Sequence, residues 1–107
     1  MSLGYSTNEP SRDEVDAIPG PAVIEFGANW CSICRGAYPV IAEAFSAHPG
    51  LLRIKVEDGK GRPLGRSFRV KLWPTLIFLK DGKEAARVVR PTGADEIRAA
   101  LVQIQNP

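Results

Sequence analysis

Residues 30–34 read Trp30-Cys31-Ser32-Ile33-Cys34, and they hold both cysteines of a 107-residue chain. Ahead of them, Ala22-Val23-Ile24-Glu25-Phe26 is apolar except for one acid, the pattern of a buried strand. Behind them, Cys34, Tyr38, Ile41 and Phe45 recur every three or four residues, which predicts a helix from Cys31 to Ala47. Pro39 falls inside that span and predicts a kink rather than an end. The cysteines therefore sit where a strand gives way to a helix. Free backbone N–H groups and the positive helix end stabilise a thiolate there, pulling a thiol pKa down from ~8.5. The spacing also lets the second sulfur reach back across one helical turn to close a disulfide.

Working outward, Ser11-Arg12-Asp13-Glu14 has the form of a capping box and predicts a short helix from Ser11 to Ala17. Pro19-Gly20-Pro21 ends it. His48-Pro49-Gly50 stops the second helix, and Leu52 to Glu57 alternates as a strand. A loop over residues 58–63 precedes a short helix from Leu64 to Phe68. Trp73-Pro74 opens a strand from Thr75 to Lys80, and Asp81-Gly82 signals a hairpin into Glu84 to Val89. Thr92 is placed to cap a last helix, with Asp95 and Glu96 in its first turn and Ile97, Leu101 and Ile104 as its apolar stripe. The order α-β-α-β-α-β-β-α predicts an α/β fold, a mixed sheet flanked by helices on both faces. Four strands are expected, or five with an edge strand near Tyr5. Residues 1–10 are polar and read as a loosely ordered segment; residues 11–107 read as one domain.

Composition narrows the function. With 44% apolar and 24% charged residues, the chain belongs with ordinary globular domains. Its longest apolar runs, such as Leu76-Ile77-Phe78-Leu79, fall far short of the ~20 residues of a membrane helix. The net charge of +2 is unevenly spread, with eleven bases against four acids between residues 53 and 90. A nucleic-acid surface would interleave such bases with aromatics; Phe68, Trp73 and Phe78 read better as core or redox-site residues. The basic face is thus a solvated one. Tetrahedral zinc needs four ligands, and beyond the two sulfurs only His48 is a candidate, so a metal shared between two chains is the remaining metal reading. A structural disulfide around so short a loop would add little stability. Redox chemistry fits best. The opening Met1-Ser2-Leu3-Gly4 has neither a basic n-region nor an apolar h-region, so a cytoplasmic location is expected, with a processed periplasmic form as the alternative.

Val23-Ile24-Glu25-Phe26, Ala28-Asn29-Trp30-Cys31-Ser32-Ile33-Cys34, the in-helix Pro39, Trp73-Pro74-Thr75 and Asp81-Gly82 together resemble the thioredoxin family over about residues 11–105. The resemblance implies the thioredoxin fold. It also implies a thiol–disulfide oxidoreductase that reduces protein disulfides through a reversible Cys31–Cys34 dithiol/disulfide, with no other cofactor and no metal. Cys31 looks like the exposed nucleophile that forms a mixed disulfide, and Cys34 like the resolving thiol. Pro74 matches the family's cis-proline, and Trp73 the residue whose backbone pairs with bound substrate. Trp30 matches the aromatic that shields the site, with Ser32 and Ile33 on the same substrate-binding surface. The implied partners are disulfide-bearing proteins and a thioredoxin-reductase-like electron donor; nucleic acid and membrane are not implied, and a monomer is expected.

This chain departs from the family's pattern at five places. Ser32-Ile33 stands for Gly-Pro, Glu25 for the usual Asp, and Gly27 for a frequent Trp. Trp73 replaces a small or β-branched residue, and Arg90 falls near a groove glycine. Glu25, in an apolar strand, is expected to be desolvated with a raised pKa and to accept the Cys34 proton; a carboxylate simply paired with a base is the plainer reading. Two other functions compete. One is a dedicated, exported oxidoreductase with few clients, and the other is a binding module without turnover.

Overall fold

In the computed structural model, which describes residues 2–105, the capping box is complete. Ser11 Oγ accepts from Glu14 N at 3.1 Å, and Glu14 Oε1 accepts from Ser11 N at 2.9 Å. The elements are α1 (Arg12–Asp16), β1 (Pro21–Gly27), α2 (Ser32–Phe45), β2 (Leu52–Glu57), α3 (Pro63–Ser67), β3 (Thr75–Lys80), β4 (Lys83–Val89) and α4 (Ala94–Gln105). Helix α2 continues through Pro39, as its apolar spacing requires. Tyr38 departs from the expected stripe: it is half-exposed, and Ala37 and Ala44 are buried beside Cys34, Ile41 and Phe45 instead. Thr92 also differs from expectation. It lies ahead of α4, and its backbone N and hydroxyl both donate to Glu96 Oε1 at 3.0 Å, so the glutamate reaches back to tie the approach.

The sheet runs β2-β1-β3-β4, with β1 parallel to β2 and antiparallel to β3, and β3 antiparallel to β4. Side chains alternate across β1. Ala22, Ile24 and Phe26 pack with Val15 of α1 and Leu64 of α3 on one face. Val23 packs with Ile41 of α2 and Ile97 and Leu101 of α4 on the other. By the same parity, Glu25 and Gly27 point toward α2. That register places the one acid of the strand beneath the start of the helix that carries Cys34.

The segment before α1 is not loose, contrary to its polar composition. Leu3 and Tyr5 are 7% and 5% exposed. Asn29 Oδ1 accepts from Leu3 N and Tyr5 N at 3.0 Å each, and Asn29 Nδ2 donates to Tyr5 O at 3.1 Å. Ser6 N donates to Lys55 O at 3.0 Å, and Glu57 N to Ser6 O at 2.9 Å. These backbone groups find partners, which a loose segment would leave to water. The optional fifth strand shrinks to one parallel bridge, Ser6 to Val56. Met1, Asn106 and Pro107 lie outside the described residues.

Asp81 and Gly82 have φ of 51° and 78°, the paired left-handed residues of a two-residue hairpin. A Cβ on Gly82 would fall 2.0 Å from the Asp16 carbonyl oxygen at the end of α1. Gly82→Ala is therefore expected to destabilise the fold by about 3 kcal/mol, combining backbone strain with a clash against fixed backbone. Gly20 (φ 72°) has open space at the same position, so Gly20→Ala should cost only about 1–2 kcal/mol. Urea unfolding midpoints check this; equal losses would remove the clash as the cause.

Candidate active site

Strand β1 ends at Gly27, three residues cross to the helix, and Cys31 becomes the N-cap of α2 at φ −80°, ψ 120°. From that position its sulfur accepts from Cys34 N at 3.3 Å, the bond a capping Ser or Asp would normally make. Both cysteines are free thiols. They are not equivalent. Cys31 keeps 9% of its surface and Cys34 only 1%, so the expected nucleophile is itself largely covered, though it is the outer of the two. Both cysteines belong to a small apolar cluster with Leu3, Tyr5 and Ala28, against which Trp73 packs.

The two thiols titrate in opposite directions. Burial pushes Cys31 up, but a hydrogen bond from the Cys34 thiol, the Cys34 and Ile33 N–H groups and the Arg90 charge outweigh it and bring the pKa below its ordinary value. Burial, with the neighbouring Cys31 sulfur, pushes Cys34 up to about 11. The outer sulfur therefore ionises more readily than the inner one.

Two tryptophans flank the pair. Trp30 is 69% exposed, so it is no core residue, and its ring meets Trp73 edge-on with centroids 5.6 Å apart. Trp73 is held in turn by its indole N–H, which donates to Asp58 Oδ2 at 2.8 Å. The Trp73–Pro74 peptide is cis, as the resemblance implies. Arg90, itself at φ 50°, donates from Nε to Trp73 O at 2.9 Å and from its backbone N to Pro74 O at 2.9 Å. Ile33, 44% exposed, and Arg90 line a groove of about 430 Å³ beside the cysteines. Ser32, also exposed, faces the same solvent.

Beneath the sulfurs lies a buried charged cluster. Glu25 is 4% exposed, with Arg53 Nη2 3.8 Å from Oε1 and Lys55 Nζ 4.0 Å from Oε2. The carboxylate is thus buried and flanked by two cations, as the plainer reading of a carboxylate paired with a base expects. Burial pulls Lys55 below its ordinary pKa, and the Glu25 charge partly offsets that. Tyr5 donates a hydrogen bond to Glu25 Oε2, and its hydroxyl oxygen and Cys34 Sγ both border the space above Gly27. Lys55 Nζ sits 4.8 Å from the centroid of its ring.

The structure thus gathers Trp30, Trp73 and Arg90 around Cys31, with Cys34 and Glu25 buried below. Sequence reading missed Tyr5, Asn29 and Lys55. A signal did exist for the first: Leu3 and Tyr5 are the apolar positions of a period-two stretch, and Gly27 leaves a side-chain volume for something else to fill.

Comparison with known proteins agrees with this geometry. The Thioredoxin family profile matches residues 5–103. A thioredoxin H-type from Oryza sativa subsp. indica is 36% identical over 86 residues, spanning 74% of this chain and 70% of that protein. The structure of reduced thioredoxin 2 from Pseudomonas aeruginosa PAO1 is 53% identical and superposes with a TM-score of 0.84, covering 94% of this chain and 93% of that one. The thioredoxin NaTrxh of Nicotiana alata, at 25% identity, covers 94% and 99% with a TM-score of 0.72.

Proposed function

The chain belongs to the thioredoxin family, and from that premise we propose how its own residues divide the work. It is a thiol–disulfide oxidoreductase. Its substrates are protein disulfides, and it draws electrons from a reductase partner of the general kind that thioredoxins use. The working group is its own dithiol. Cys31 attacks as a thiolate, breaking the client's S–S bond and forming a mixed disulfide. Cys34 then attacks the Cys31 sulfur, the client leaves reduced, and the pair is left as a disulfide awaiting two electrons. Trp30, Ser32, Ile33 and Trp73 form the surface on which the client rests, with the buried Pro74 behind Trp73. The observation that carries this division is the asymmetry of the two thiols, one lowered and outermost, the other raised to about 11 and sealed beneath it.

Reduction of insulin with dithiothreitol as donor tests the activity, and a redox titration tests the direction. A potential near about −270 mV marks a reductase, and one near about −120 mV would make the protein an oxidant instead.

Glu25 is assigned the proton of Cys34. Burial, the largest cause of the raised Cys34 pKa, persists when Cys31 is bonded to a client, so attack by Cys34 at neutral pH calls for a base that takes its proton. Glu25→Gln keeps shape and burial but removes the base. Attack by Cys31 is expected to change little, while resolution slows by ~10²-fold. Stopped-flow kinetics separate the two steps; unchanged resolution would leave Glu25 a structural residue.

A further inference from the structure

Among the described residues no hydrogen bond joins Glu25 to Cys34, while the Tyr5 phenol is bonded to Glu25 Oε2 and borders the same space above Gly27 as Cys34 Sγ. The Tyr5 hydroxyl hydrogen is committed to Glu25 Oε2, so the phenol oxygen beside Cys34 is open to accept the S–H that Cys31 no longer takes once it is tied up in the mixed disulfide. Gly27 makes room for this. A Cβ at that position would lie 2.5 Å from Tyr5 Cζ, 2.7 Å from its hydroxyl oxygen and 2.9 Å from Cys34 Sγ. Any larger residue there would displace the ring or the sulfur. The segment bearing Tyr5 is fixed from behind by Asn29 and by the Ser6 backbone bonds to β2.

Resting on the reading of Glu25 as the acceptor, we propose that Tyr5 is a catalytic proton relay between the resolving thiol and that carboxylate. In the mixed disulfide, Cys34 gives its proton to the Tyr5 oxygen as Tyr5 gives its own to Glu25 Oε2. The Cys34 thiolate then attacks Cys31 Sγ. The Cys31–Cys34 bond forms, the bond from Cys31 to the client sulfur breaks, and the client leaves as a thiolate carrying the electron pair. Glu25 ends protonated and Tyr5 ends as it began. No tyrosinate is needed at any point, which suits a phenol that burial and the Glu25 charge hold well above its ordinary pKa. Among the described residues the other charges facing the relay are Lys55, over the ring, and Arg53, beside Oε1, both on β2.

Tyr5→Phe keeps the ring under Gly27 and removes only the relay atom. It is expected to slow resolution by about 10-fold or more. The pH profile distinguishes this from loosened packing. Without the relay, Cys34 must lose its proton to solvent, so the rate should rise in proportion to hydroxide across the neutral range, where the wild type levels off. Glu25→Gln measured alongside separates the two layers of the account. Slowing in both variants, without further loss in the double variant, supports the relay. Slowing in Glu25→Gln alone overturns Tyr5 and leaves Glu25 as acceptor; no slowing in Glu25→Gln overturns the acceptor and the relay with it. If Tyr5→Phe does not fold, resolution by the wild type in mixed light and heavy water decides: two protons in flight give a bowed dependence, and a straight line overturns the relay.

Discussion

Cys31→Ser is expected to abolish disulfide reduction, leaving insulin reduced no faster than by the donor alone. The argument is chemical before it is structural. A serine hydroxyl remains protonated at working pH and cannot supply the thiolate that attacks sulfur. Cys34 cannot take over, since it is 1% exposed and its thiol is pushed up to about 11. The same reasoning fixes the pH dependence of attack by the wild type. Cys31 lies below its ordinary pKa, so the thiolate fraction climbs at lower pH than for a free thiol. The rate of first attack should therefore rise with pH and level off before an unperturbed cysteine would. Single-turnover kinetics check both points, and substantial reduction by Cys31→Ser would reverse the assignment of roles.

Cys34→Ser has the opposite signature. Attack survives, because serine at position 34 keeps the backbone N–H that bonds Cys31 Sγ and retains a side-chain donor in place of the thiol. Resolution does not survive, since no second sulfur is present to displace the client. The variant is expected to accumulate one covalently bound client per chain, with turnover lowered by ~10³-fold or more. Mass spectrometry of the non-reduced protein detects the adduct, and its loss on adding reductant shows that the link is a disulfide. Trapping by Cys31→Ser instead would mean that the inner sulfur attacks first.

Most of the fold was legible because its determinants are local. The capping box at Ser11, the left-handed pair Asp81-Gly82 and the alternation of β1 each act within a few residues of themselves. The placement of Cys31 and Cys34 was legible for the same reason: a sulfur at a helix N-cap follows from strand and helix meeting there. What escaped depends on contacts across the chain. Tyr5 and Asn29 are 24 residues apart, and nothing near Tyr5 in sequence announces the hydrogen bonds that hold it. Ser6, Thr7, Asn8 and Glu9 make its surroundings look like a solvated tail, and tertiary burial overrides that composition. Lys55 and Arg53 read as alternating residues of an ordinary strand until the register places them beside Glu25. Arg90 was visible as a departure from the family, but its hold on the Trp73 carbonyl and its charge toward Cys31 required the fold.

Ultraviolet titration of thiolate absorbance in the reduced protein tests the central claim most directly, because the division of labour rests on two unlike thiols three residues apart. Two separate ionisations are predicted, one below the ordinary cysteine value of ~8.5 and assigned to Cys31, the other near 11 and assigned to Cys34. A single unresolved ionisation of both thiols at the ordinary value would contradict the account.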